Sequence, residues 1–176
     1  MWNTLSRMWR TGLLTEPLPA IEPALGASSP AVDALQSDLL AVLGRALCIR
    51  HVDAGSCNGC ELEIQALHNP YYNLEGAGIQ FVASPRHADL LLVTGPVSAN
   101  MEEALRRTYD AMPAPKLVIA VGDCGACGGI FGTSYASRGG VANILPVNFT
   151  VSGCPPTPTA ILRGILQAVR PAFTKP

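Results

Sequence analysis

The residues of this chain that can do redox or metal chemistry are its six cysteines. Cys57 and Cys60 are separated by two residues, and so are Cys124 and Cys127. Cys154 stands alone before Pro155 and Pro156, and Cys48 lies inside an apolar run. A C-x-x-C pair can bind zinc, form a redox dithiol or hold an iron–sulfur cluster. In a reducing compartment clustered thiols bind metal or do redox chemistry more often than they form structural disulfides. Structural zinc sites keep their ligands in two compact knuckles, whereas the remaining thiols here are far along the chain. A thioredoxin-like dithiol has no use for two further segments. Four thiolates delivered from three separate segments favour a four-iron cluster. Cys57, Cys60 and Cys154 are three of these. The remaining one is Cys124 or Cys127, and spacing alone does not choose between them. Cys48 reads as a small buried hydrophobe.

The elements that must position these thiols are legible from hydrophobic pattern. Strands are predicted over 46–53, 78–84, 88–95 and 116–122, with a last one inside 144–153. Helical spacing follows Cys60 through Ile64 and Leu67. It returns over 99–111, with Met101, Leu105 and Tyr109 on one face, and over 157–170, ending before Pro171. Strands alternating with helices imply βαβ units, and hence an α/β fold with a parallel sheet. Ligands of such a sheet bind beyond the carboxyl ends of the strands. Cys57 and Cys60 follow the first strand, Cys124 the fourth and Cys154 the last, so three loops deliver thiols to one edge. Gly55, Gly59, Gly122, Gly125 and Gly153 flank them, where backbone can pass close to a bulky ligand and aim N–H groups at it. Pro155 stiffens the loop after Cys154.

Composition bounds the partners. The chain has 176 residues, 48% hydrophobic and only 14% charged, against about a quarter charged in an ordinary soluble protein. Much of its surface is therefore expected to face something other than water. A net charge of -1 argues against a non-specific nucleic-acid binder, which normally carries a basic excess. With 17 Gly and 15 Pro the chain is no helical bundle. No run reaches the ~18 apolar residues of a membrane span, and the N-terminus lacks the long apolar stretch of a secretory signal, so a cytoplasmic location is expected. Residues 1–45 read as an arm, a linker and a helix, and 46–176 as the thiol-bearing domain. In the arm, Trp2, Leu5 and Trp9 share a helical face with Arg7 and Arg10 off it, either as a frayed terminus or as a docking strip. Residues 15–30 are a proline-rich linker. A helix starts at Ser29-Pro30, continues through Leu35, Leu39 and Val42, and ends at Gly44. His51, His68 and His87 are not assigned catalytic roles.

GSCNGCELEI (55–64), SPRHADLLLVTGPV (84–97), GDCGACGGIFG (122–132) and SGCPPTP (152–158) resemble the small, cluster-carrying subunit of membrane-bound, energy-converting nickel–iron hydrogenases. The same fold serves as the 20-kDa-type subunit of respiratory complex I. The resemblance runs from about residue 46 to 170. It implies a flavodoxin-like parallel sheet with helices on both faces and one 4Fe–4S cluster held by Cys57, Cys60, Cys124 and Cys154. It leaves Cys127 beside the cluster rather than on it. It places Glu63 near the cluster and the partner interface, and leaves Glu61 an ordinary first-turn carboxylate. The implied role is electron transfer without a catalytic residue of its own. The implied partners are a hydrogenase-type large subunit holding the nickel–iron site, a ferredoxin-like iron–sulfur subunit and integral membrane subunits. The implied place is peripheral, on the cytoplasmic side of the membrane. Complex I subunits of this type typically carry adjacent cysteines in the first motif. Cys57-Asn58-Gly59-Cys60 departs from that and tilts the reading towards the hydrogenase branch. The other readings are a complex I-type quinone oxidoreductase subunit, a related complex lacking the nickel–iron site, and a zinc-stabilised interaction module.

Overall fold

Leu90–Thr94 and Leu117–Val121 are apolar at nearly every position and buried at all of them. Only strands covered on both faces show that pattern. They form the centre of a five-stranded sheet of β1 (Leu47–Asp53), β2 (Ile79–Phe81), β3 (Leu90–Thr94), β4 (Leu117–Val121) and β5 (Phe149–Val151), in the order β2-β1-β3-β4-β5. Every neighbouring pair is parallel. The computed structural model describes Ser6, Trp9, Arg10 and residues 46–173. Apart from those three residues, which are helical with Trp9 exposed, the expected arm, linker and helix lie outside the described residues.

Side chains alternate between two cores, as the period of two in a strand requires. Ile49, Leu90, Leu92, Ile119 and Val121 point to one face. There they meet Ile64 of α1 (Gly59–Ala66) and Ile161 and Ile165 of α4 (Pro158–Phe173). Val52, Leu91, Val93, Val118 and Ala120 point to the other face, where Leu105 of α2 (Glu102–Ala111) covers them. Helices therefore cover both faces, as the flavodoxin-like expectation has it.

From β1 the chain turns outwards to β2, and from β3 it proceeds the other way to β4 and β5. The reversal lies between β1 and β3, the place where such sheets leave a crevice beyond their carboxyl ends. Two details differ from the sequence reading. The residues after β4 form a short helix, α3 (Gly122–Cys127), rather than a loop, and α4 runs past Pro171 to Phe173. The fixed φ of proline is already helical, so Pro171 costs that last turn a hydrogen bond without ending it.

Ile119 is wholly buried between Leu92 of β3 and Phe149 of β5. Ile119→Ala is expected to cost about 2–5 kcal/mol of stability, and Gln80→Ala, on an exposed position of β2, less than about 0.5 kcal/mol. Urea unfolding midpoints of the two variants check both values.

Candidate metal centre

The loop after β1 is built by its own side chains. Asp53 Oδ1 accepts hydrogen bonds from the N–H groups of Gly55 (2.8 Å) and Ser56 (2.7 Å), and Ser56 Oγ accepts one from the Asn58 N–H at 3.1 Å. Asn58, at φ 72°, takes the left-handed conformation that its short polar side chain tolerates, and α1 begins at the next residue. Cys57 is thus left exposed at the loop tip, while Cys60 is buried in the first turn of α1. The loop is tied to the rest of the edge by the Ala54 N–H to Thr94 carbonyl bond (3.0 Å) and the Ser98 N–H to Ala54 carbonyl bond (2.8 Å).

Glycine lets the three segments close on one another. A Cβ on Gly122 would stand 2.8 Å from Cys60 Sγ, and Gly122 has φ +80°. A Cβ on Gly129 would stand 2.7 Å from Cys124 Sγ. One on Gly59 would lie 3.5 Å from Cys57 Sγ and 3.8 Å from Pro155, which follows Cys154. The edge is therefore a cradle that side chains at these positions would fill.

The electrostatics show the same convergence. Burial pushes the Cys60 thiol up to about 12, with Glu61 and then Cys124, Cys57 and Cys154 adding to the rise. Burial also raises Cys124, followed by Cys154, Cys57, Asp123 and Cys127. Cys60 and Cys124 thus each stand among further thiols, and ionising them is eased by a cationic group nearby. Cys127 is exposed, and its thiol donates back along α3 to the Asp123 carbonyl at 3.3 Å. Cys48 is half-buried within β1. Among the described residues, no three His, Cys, Asp or Glu side chains gather closely enough to hold a single metal ion. A group of several irons is larger, and sulfurs around it stand further apart. Four thiols about a glycine-lined cradle fit such a group by donor type and room.

Helix geometry singles out a carboxylate that the sequence reading left ordinary. Glu61 is buried and neither of its oxygens has a hydrogen-bond partner, while Glu63 is half-buried. Glu61 Oε1 lies 3.9 Å from His51 Nε2, which is itself 3.0 Å from Thr94 Oγ1. The signal available in the sequence was the strand alternation, which puts His51 and Thr94 on the α1 side of the sheet.

Burial holds His51 below its ordinary range, against the pull of Glu61 and Asp53 and with a small push from Arg50. His51 is then neutral in the fold and takes up a proton more readily when the chain unfolds. Stability is expected to fall as pH drops below about 6.5, where the unfolded chain binds the extra proton. His51→Gln should flatten that slope between about pH 7 and 5.5, read from urea midpoints across the range. Gly122→Ala, which sets a methyl group against the Cys60 sulfur in a strained backbone, should reduce bound iron strongly while the circular dichroism of the fold persists.

Residues 57–168 match the family described as NADH ubiquinone oxidoreductase, 20 Kd subunit. The chain is 44% identical over 133 residues to the probable membrane-bound hydrogenase subunit mbhJ of Pyrococcus furiosus, covering 76% of this chain and 80% of that protein. It is 48% identical over 109 residues to an NADH-quinone oxidoreductase subunit of Herpetosiphon aurantiacus, covering 61% of this chain and 60% of that one. Among solved structures, a chain of the membrane-bound sulfane sulfur reductase, an archaeal respiratory membrane complex, superposes with a TM-score of 0.63 at 31% identity, covering 77% of this chain and 74% of that one. Since the matched span runs from the first of the converging thiols into the helix that closes the sheet, the chain belongs to the family of the NADH–ubiquinone oxidoreductase 20-kDa subunit, whose members are subunits of oxidoreductase complexes.

Proposed function

We propose that this chain is the electron-transfer subunit of a membrane-bound hydrogenase complex, carrying one 4Fe–4S cluster on Cys57, Cys60, Cys124 and Cys154. The observation that carries the reading is the close approach of three thiol-bearing segments at one sheet edge, where Gly122 lies against the Cys60 sulfur and Gly59 lies between the Cys57 sulfur and Pro155, the residue after Cys154. When bound, such a cluster supplies single-electron transfer and has no open metal position. The chain's own residues hold, orient and shield it. Cys60 anchors the inner side, Gly122 and Gly129 leave it room, and Cys127 stands beside it, turned towards the Asp123 carbonyl. Residues 46–176 form the cluster-binding domain in this reading, and 1–45 an appendage.

Proton and H₂ chemistry then belongs to a hydrogenase-type large subunit, fed through a ferredoxin-like iron–sulfur subunit and held by integral membrane subunits. The surface supports a covered edge. The stretch from Cys124 to Ser137 contains no charged side chain, and Ile130, Phe131 and Tyr135 project from it at 91%, 52% and 97% exposure. Apolar, charge-depleted surface of that kind marks interaction sites. Glu63 is proposed to lie at this interface. A peripheral position on the cytoplasmic side of the membrane is consistent with the described helices, none of which is long and apolar enough to cross a membrane.

A second reading, a quinone oxidoreductase subunit, is favoured by the 48% identity to the Herpetosiphon aurantiacus protein. The hydrogenase reading is favoured by the larger share of the chain aligned with mbhJ, 76% against 61%, and by the Cys57-x-x-Cys60 spacing. H₂-dependent dye reduction by the purified complex, compared with quinone reduction, separates the two.

Each of Cys57→Ala, Cys60→Ala, Cys124→Ala and Cys154→Ala is expected to lose the four-iron signal and most of the bound iron. Cys127→Ala and Cys48→Ala should keep both. Iron and sulfide analysis with electron paramagnetic resonance of the reduced complex checks the set. A zinc-loaded, colourless protein would refute the cluster altogether.

A further inference from the structure

Two of the thiols sit on segments that the sheet ladder does not reach. The last β4–β5 pair is Val121 with Val151, short of both Cys124 and Cys154. Beyond it, one residue joins the segments twice. The Asp123 N–H donates to the Gly153 carbonyl at 2.9 Å, and Asp123 Oδ1 accepts from the Gly153 N–H at 2.8 Å. Both polar groups of Gly153, the residue directly before Cys154, are therefore bound by the residue directly before Cys124.

Gly153 cannot be held by packing of its own. It has no side chain, its φ is +136°, and a Cβ there would strike Pro156 at 2.7 Å. Its conformation is open only to glycine, so no side chain of its own restrains it and the two hydrogen bonds do. The backbone half of the clasp is available to any residue at position 123. The side-chain half needs an acceptor of the length of Asp or Asn.

We propose that the Asp123 carboxylate is a positioning group for the cluster, holding the Cys154 segment in register with Cys124 and setting a negative charge beside the sulfurs. The inference rests on the cluster reading above and names how one of its sites is built. The carboxylate belongs to the residue before Cys124 and bonds the residue before Cys154, so its charge lies one residue from two of the thiols. A carboxylate serving only the first turn of a short helix would have no need of the bond to Gly153.

The test uses the purified complex as wild type, Asp123→Ala and Asp123→Asn. Iron release to a chelator and the cluster's reduction potential are measured, the latter by titration followed by electron paramagnetic resonance. Asp123→Ala is expected to weaken iron retention by about 10- to 100-fold, the usual effect of removing a group that orients a metal ligand. Asp123→Asn keeps the acceptor and drops the charge, so retention should stay close to wild type while the potential moves upwards. The inference is overturned if Asp123→Ala retains iron as wild type does, if Asp123→Asn loses it as fast as Asp123→Ala, or if the potential of Asp123→Asn is unchanged. Should Asp123→Ala fail to assemble, Asp123→Asn decides, because it alone separates the bond from the charge. A wild-type complex without a four-iron signal would instead overturn the cluster reading itself.

Discussion

Like groups brought together in a partly buried space repel once they ionise, and this edge of the protein is organised around that cost. Cys60 is buried, and burial first, then Glu61 and the thiols of Cys124, Cys57 and Cys154, push its thiol up to about 12. Removing the protons of Cys60 and Cys124 without a compensating cation is unfavourable. In the proposed cluster reading, iron replacing the protons supplies that cation. On that reading the glycines at 59, 122 and 129 leave the room the exchange needs.

The sheet is what makes the convergence possible. Because every strand pair is parallel, β1, β4 and β5 all deliver their following residues to the same edge. Because β3 and β4 are buried on both faces, that edge is set on an interior that cannot slip by one residue without turning one core inside out. Precision is then added locally. Asp53 folds the Cys57 loop onto itself, and Asp123 clasps the Cys154 segment. Two aspartates on two different strand ends do the same kind of work, each satisfying backbone N–H groups that the ladder leaves over.

Outside this platform the surface changes character. The charged pairs of the described chain that involve arginine lie on α2 and its neighbour Arg138, where Glu102 bonds both Arg106 and Arg138 and is held below the usual carboxylate range by them. Glu102 thereby fastens the far end of the segment that carries Ile130, Phe131 and Tyr135. A neutral, apolar segment anchored near both ends is pre-organised for contact, which lowers the ordering cost of association.

Much of this was legible in the residues alone. Period-two burial, the fully apolar runs of β3 and β4, and the glycine-flanked thiols after strands are local properties, and local patterns determine strand identity, sheet type and the edge at which ligands gather. The choice between Cys124 and Cys127 came from resemblance to a family and not from spacing, since two thiols three residues apart on one short helix are equivalent until the surroundings are known. The structure turns Cys127 towards the Asp123 carbonyl, and Cys124 as the ligand remains part of the proposal. The burial of Glu61 beside His51 and the clasp between Asp123 and Gly153 could not be read in advance. Each joins residues from separate strands or helices, and which pairs meet depends on strand order, helix rotation and loop direction. Sequence determined the kinds of groups and the edge they reach; only the tertiary structure decided which of them touch, because contact between distant segments is set by the packing of the whole sheet and not by any one segment's pattern.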